Sequence, residues 1–305
     1  MKNVIRIFAS LVLVAAFQPA SAADLDVFAC EPEWAALTQE LAGTRAEITS
    51  ATTAHQDPHH IQARPSLIAK LRRADLLVCS GAELEIGWLP MLLRQSGNNA
   101  IQPGKPGYFE AAMQVERLEV PTTVDRAMGD VHPSGNPHVQ LDPRRIATIA
   151  TALTARLKQL DPAHAADYDA RGADFAKRWQ AALARWNAQA APLHGVRVVV
   201  HHQGWAYLFD WLELQQAGQL EPKPGVPPSA AHLAELKAEL AAKPARMVIY
   251  AAYQESRPAE WLSHETGMPA VELPFTVGGS DGAKDLFGLF DDTLAKMVGA
   301  LHESR

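Results

Sequence analysis

Histidine is placed in this chain where it could hold a metal ion. The stretch Ala54-His55-Gln56-Asp57-Pro58-His59-His60-Ile61-Gln62-Ala63-Arg64-Pro65-Ser66 brings three imidazoles and a carboxylate close together in one loop. Pro58 stiffens its middle, and Pro65 is preset to start a helix. One loop cannot complete a metal site, but two others offer the same chemistry. His138 sits in Gly135-Asn136-Pro137-His138-Val139-Gln140-Leu141-Asp142-Pro143, and His202 in Val200-His201-His202-Gln203-Gly204-Trp205. A lone histidine after a strand is usually a satisfied polar residue. Three in matching loop settings point to shared ligation.

The elements around them alternate short apolar strands with helical patterns. Strands are expected at Leu25–Ala29, Ala46–Thr49 and Asp75–Val78, with helices at Pro32–Leu41 and Pro65–Arg73. That is the rhythm of a parallel βαβ sheet, in which ligands bind beyond the carboxyl ends of the strands. The His55–His60 loop follows the second strand. Residues 81–95 read as an apolar helix-like run interrupted by Pro90, and 98–137 as a long irregular segment with one possible strand at Val115–Leu118. Long loops of this kind tend to be functional. His132 lies in this segment and reads as a solvated loop histidine, with a capture ligand as the other possibility.

Residues 165–192 form a long Ala-rich amphipathic pattern with Tyr168, Phe175, Trp179, Leu183 and Trp186 three or four residues apart or multiples of that. At about 1.5 Å per residue it would run roughly 40 Å, enough to lie along two lobes. Beyond it the alternation restarts, with strands at Arg197–Val200, Met247–Tyr250 and Ala270–Leu273 and helices at Ala206–Trp211, Ala230–Ala241, Arg257–Thr266 and Asp285–His302. The expected fold is α/β, two lobes each with a mostly parallel sheet flanked by helices, joined by one long helix. The lobes would span 23–164 and 193–305, with 165–192 as connector.

Residues 1–22 have the grammar of an export signal: Lys2 and Arg6, an apolar core from Ile7 to Phe17 too short to span a bilayer, and Ala20-Ser21-Ala22 as cleavage site. No cysteine follows directly, so a lipid anchor is not expected, and the reading is a periplasmic protein cleaved near Ala22. Removing the two basic residues takes the formal charge from −6 to −8. That disfavours nucleic acid or an anionic membrane as partner. Cys30 and Cys79 each follow a strand; with strand order 2-1-3 they would share one sheet edge. In an oxidising compartment they could pair, and the alternative is two small buried thiols.

Together, Asp57-Pro58-His59 with Pro65-Ser66, Asn136-Pro137-His138 with Leu141-Asp142-Pro143, and His202-Gln203-Gly204-Trp205-Ala206-Tyr207 resemble the zinc/manganese substrate-binding proteins of bacterial ABC importers. Glu221-Pro222-Lys223-Pro224-Gly225-Val226-Pro227-Pro228-Ser229, followed by His232-Leu233-Ala234-Glu235-Leu236, looks like the second-lobe signature of the same family. The resemblance covers nearly the whole chain after the signal. It implies a metal held between the lobes by His59, His138, His202 and a late carboxylate, Asp281, in Val277-Gly278-Gly279-Ser280-Asp281-Gly282. His60 and His201 adjoin two of these positions and stay open as alternatives. The sequence departs from the family pattern at Ile61 and Gln62, where an aromatic and an acid are usual, and it lacks the long His-rich acidic loop of zinc members.

Three neutral imidazoles and a carboxylate fill a zinc tetrahedron and leave no open position, which suits carriage rather than catalysis. Manganese would favour more oxygen ligands. Glu221, Asp57 and Asp142 are candidate partners for the second imidazole nitrogens, the last two more readily read as turn caps. The implied function is high-affinity capture of Zn2+, the transported ligand, and its delivery to an ABC-type membrane permease. The carrier is expected to be a monomer, with a periplasmic metallochaperone as a further possible partner. The competing readings are a manganese or iron carrier, a metal-dependent adhesin and a periplasmic zinc hydrolase. The hydrolase would call for a pair such as His-Glu-x-x-His, which is absent; His264-Glu265 begins one without completing it.

Overall fold

The computed structural model describes residues 25–123, 129 and 132–303; the export segment expected over 1–22 lies outside them. Two four-stranded parallel sheets form its frame, each with the second strand added on the outer side of the first. In the N-terminal sheet the order is β2-β1-β3-β4, from β1 (Leu25–Ala29), β2 (Ala46–Ser50), β3 (Leu76–Cys79) and β4 (Tyr108–Glu110). The C-terminal sheet repeats it as β6-β5-β7-β8, from β5 (Arg197–Val200), β6 (Gln215–Gln219), β7 (Met247–Ala251) and β8 (Ala270–Leu273). The inner strands β3 and β7 are buried along their whole length, as strands covered by helices on both faces must be.

Helices α1 (Pro32–Ala42), α2 (Pro65–Arg73) and α3 (Leu89–Ser96) serve the first sheet, and each carries proline in its first turn, where a missing N–H costs nothing. Pro90 therefore starts α3 instead of interrupting a longer helix. The expected strand at Val115–Leu118 does not form, and β4 closes that edge instead. Helix α4 (Pro143–Leu160) is capped by Asp142, whose carboxylate accepts from the Arg144 amide at 2.8 Å.

Helix α5 (Ala165–Ala190) is the connector, 26 residues and so about 39 Å long. Its aromatic stripe faces inward. Trp179 donates to the Pro143 carbonyl at 2.7 Å, fixing it to α4, and Trp186 donates to Asp291 at 2.6 Å on α9 (Leu286–Glu303). Phe175, Trp179 and Trp186 pack with Phe287 and Phe290 at ring separations of 4.9 to 6.2 Å. One continuous hydrophobic core thus runs through both lobes. The remaining helices, α6 (Ala206–Leu212), α7 (Ala230–Ala242) and α8 (Arg257–Thr266), flank the second sheet. No helix among the described residues is long and apolar enough to cross a membrane.

At the carboxyl end of the first sheet, Cys30 and Cys79 are joined in a disulfide, with Cα atoms 4.8 Å apart. The neighbouring order β1-β3 brings these positions together. Three glutamates lie enclosed beside it. The Ser80 amide and hydroxyl donate to Glu31, the Gly81 amide donates to Glu85, and Thr276 of the second lobe donates its hydroxyl to Glu33. Burial pushes the Glu33 and Glu85 carboxyls up to about 7; it raises Glu31 as well, helped by the charges of Glu85 and Glu33.

A carboxyl whose pKa is raised on folding stabilises the fold below its unfolded value and loses that contribution as pH rises through the folded one. Glu85→Gln should therefore gain stability relative to the native chain as pH goes from about 5 to about 8.5, by on the order of 1–3 kcal/mol. Urea unfolding of the metal-free protein at both pH values measures this; a difference independent of pH would contradict it.

Candidate metal centre

The histidine loops leave the carboxyl ends of both sheets and meet between them. His59 comes from the β2–α2 loop, His132 and His138 from the segment before α4, and His202 from the turn after β5. Ring centroids of His59 lie 5.4 Å from His132, 5.4 Å from His138 and 5.6 Å from His202. His138 lies 6.1 Å from His132 and 6.4 Å from His202. Ring nitrogens of His59, His132 and His138 fall within 4.8 Å of one another.

Each ring is oriented by a particular neighbour. Asp57 accepts from both the amide and Nδ1 of His59, at 3.0 and 2.7 Å. This leaves Nε2 facing the cluster, where it stands 3.3 Å from Nε2 of His132. Trp88 holds the same loop by donating to the Pro58 carbonyl at 2.9 Å. Glu221 does for His202 what Asp57 does for His59, accepting from Nδ1 at 2.8 Å while its same oxygen takes the Gly225 amide. Asp142 turns away from the histidines; it caps α4 and is bound by Arg144 and Arg145.

His138 is positioned through its backbone. The Asn136 carbonyl oxygen of the side chain accepts from the His138 amide at 3.0 Å, while its Nδ2 donates to Glu119 and to the Gln203 carbonyl. Tyr207 of α6 donates to the Asn136 main-chain carbonyl at 2.7 Å, so the second lobe clamps a first-lobe loop. Gly135 makes the preceding turn at φ +100°, a conformation that favours glycine. Gly204 admits Phe275, whose ring would lie 2.9 Å from an added Cβ, and Phe275 packs edge-on against His138 at 5.0 Å.

The surroundings keep His132 and His138 neutral. Burial, then the neighbouring His59, His132 and His202, drives His138 well below the usual histidine range. Burial, then His59 and His202, brings His132 down to about 4. Burial would raise the Asp57 carboxyl, but its hydrogen bond and charge interaction with His59 hold it below its ordinary value. Both ring nitrogens of His138 are buried without a hydrogen-bond partner. A buried imidazole with two orphaned nitrogens is unfavourable unless something binds it, and a divalent cation supplies what is needed. The donor set fits zinc, which takes neutral imidazole nitrogen in four-coordinate sites.

Three of the twelve histidines thus bring their ring nitrogens together, His202 stands beside them with its ring 5.6 Å from His59 and 6.4 Å from His138, and His132, read from the sequence as a solvated loop residue, is among the three. The signal that bore on it was proximity to His138 in Asp130-Val131-His132-Pro133-Ser134-Gly135-Asn136-Pro137-His138. His60 is exposed, whereas His201 is buried with Nδ1 unpartnered; both line a cleft of about 740 Å³ that opens beside His59 and His202. Asp281 is solvent-exposed and does not join the clustered donors among the described residues. Its loop is tied down on either side, Ser280 donating to Asp292 at 2.6 Å and the Gly278 amide to the Ala283 carbonyl at 2.6 Å, which leaves Asp281 at the exposed tip. His264 is exposed on α8 beside Glu265.

Two like-built lobes, a rigid connecting helix and imidazoles converging between the sheets define a bilobal metal-binding protein. The chain belongs to the ZnuA family, described as zinc-uptake complex component A periplasmic, which matches residues 27–300. It is 21% identical to the high-affinity zinc uptake system protein ZnuA of Bacillus subtilis (strain 168) over 271 residues, 88% of this chain and 83% of the relative. Over 269 residues it is 27% identical to the protein of the same name from Paracoccus denitrificans (strain Pd 1222), covering 76% of this chain and 78% of that one. A crystal structure of ZnuA shares the fold with a TM-score of 0.75 at 22% identity, over 90% of this chain and 98% of its own.

The arrangement ranks the side chains. His138→Ala and His132→Ala should each weaken zinc binding more than Asp281→Ala, and Glu221→Ala, which releases His202 from its partner, should cost roughly 10–100-fold. Competition against a fluorescent zinc chelator measures all four; an Asp281→Ala loss exceeding that of His132→Ala would replace His132 by Asp281 in the set.

Proposed function

We propose that this chain is the zinc-capturing component of an ABC importer, binding Zn2+ between its lobes on His59, His132, His138 and His202 and presenting it to a membrane permease. The observation that carries the reading is the convergence of three imidazoles, His59, His132 and His202, around His138, whose ring nitrogens are both buried and unpartnered. Four nitrogen donors complete a tetrahedral ion and leave no site for an activated water, so the ion is cargo and not a hydrolytic centre. The all-imidazole set favours zinc over manganese, which prefers oxygen. Family membership supports the transport role and the periplasmic setting.

The connecting helix, fastened to α4 and to α9 by tryptophan hydrogen bonds and the aromatic cluster, argues for metal uptake by local rearrangement of loops. Wide hinge closure would have to break that core. Metal-stripped protein titrated with zinc and manganese in competition is expected to take one zinc per chain and to yield little of it to manganese. Small-angle scattering of the stripped and loaded forms should superimpose. A clear change in radius of gyration, or manganese binding the tighter, would count against the proposal.

A further inference from the structure

Outside the histidine cluster, a second group of metal-type donors meets in the first lobe. The sulfurs of Cys30 and Cys79 and a carboxylate oxygen of Glu85 lie within 4.8 Å of one another, all buried. While the sulfurs are bonded to each other they are poor ligands, because the thiolate is the form that binds metal. Exchange with an external dithiol changes this. Its two thiols give two electrons and two protons to Cys30 and Cys79, the S–S bond breaks, and the external dithiol leaves as its own disulfide. A zinc ion can then displace both protons.

The surroundings hold an independent sign of an unfilled requirement. Glu31, next in the chain to Cys30 and 3% exposed, uses Oε2 to accept from the Ser80 amide and hydroxyl at 3.2 and 3.3 Å. Its other oxygen, Oε1, is buried with no donor from the surrounding protein, and the carboxyl lies against that of Glu85, a contact between two acids that becomes favourable only with a proton or a cation between them. Ser80 follows Cys79 directly, so this orphaned oxygen belongs to the same knot of backbone as the two sulfurs. Glu85 is held by the Gly81 amide at 3.2 Å on each carboxylate oxygen. Helix α1 begins at Pro32, immediately after Glu31, and its amino-terminal partial charge offsets negative charge gathered there.

We propose that the reduced chain binds a second zinc ion on the Cys30 and Cys79 thiolates with the Glu85 and Glu31 carboxylates, and that disulfide formation abolishes this site. Two thiolates and two carboxylates make a four-coordinate set that zinc accepts and manganese does not favour. Metal capacity then depends on redox state, with the interlobe site alone in the oxidised protein and both sites in the reduced one. The second site shares no ligand with the histidine cluster and stands whether or not the transport reading does.

The test uses the full chain, unfolded, reduced with a phosphine, refolded and titrated with cobalt and with zinc under native mass spectrometry. A sulfur-to-cobalt charge-transfer band can arise only from thiolate ligation, so the histidine site is silent in it. The oxidised chain should take one ion without the band. The reduced chain should take two with the band, and Cys79→Ser and Glu85→Gln should lose the second ion and keep the first. One ion and no band in the reduced chain overturns the proposal. So does a band unaffected by Glu85→Gln, and so does failure to regain native circular dichroism on reduction, since the donors converge only in the folded lobe.

Discussion

Imidazole rings gathered so that His59 lies 5.4 to 5.6 Å from each of His132, His138 and His202 cannot all be charged, and much of the interlobe structure serves that constraint. Burial supplies the larger part, because removing water penalises the imidazolium; mutual repulsion adds to it. Neutral rings need orientation as well, since a rotated imidazole presents the wrong nitrogen. Asp57 and Glu221 meet that need by taking Nδ1 of His59 and His202, and Asn136 meets it for His138 through the backbone.

Orientation within each lobe would be of little use if the lobes wandered. The connecting helix is therefore part of the metal centre in an energetic sense. Trp179 and Trp186 bury their rings and satisfy their N–H groups, one on the helix before the connector and one on the last helix of the chain. Arg144 and Arg145 of α4 reach Asp210 on α6, and Thr276 reaches Glu33, so the fasteners stand on several sides of the site. Two domains of this size would ordinarily move against each other. A core continuous through both replaces that freedom with loop motion.

Most of this frame was legible in the sequence because its strands and helices carry strong patterns. The buried runs of β1, β3, β5 and β7, the Pro32 and Pro65 helix starts, and the aromatic stripe of α5 are written in residue type and spacing. The strands that escaped are β4 and β6, both at or near a sheet edge. Gln215-Gln216-Ala217-Gly218-Gln219 has no apolar face to reveal it, and Tyr108–Glu110 is too short for alternation to register. The site divided in the same way. His59, His138 and His202 stand in loops whose neighbours explain them. His132 does not, since its place depends on a strained turn: Ala82 and Glu83 both have positive φ, and the Glu83 carbonyl meets the His132 ring. Nothing local to residue 132 encodes that distant turn.

The distribution of donors between the lobes bears on how a rigid carrier could let go of its cargo. His59, His132 and His138 belong to the first lobe, and His202 alone to the second. A zinc–imidazole bond is about 2.0–2.1 Å long, so a shift of the His202 turn by an ångström or so would break one bond and leave three. That turn is held by Glu221, whose loop is tied by the Gly225 amide and lies along the open cleft where His60 and His201 are also found. A partner pressing on the cleft could therefore act on the single second-lobe ligand without disturbing the aromatic core behind it. With the proposed ligand set, rigidity of the frame and release of the ion are compatible because its asymmetry concentrates the necessary motion in one turn.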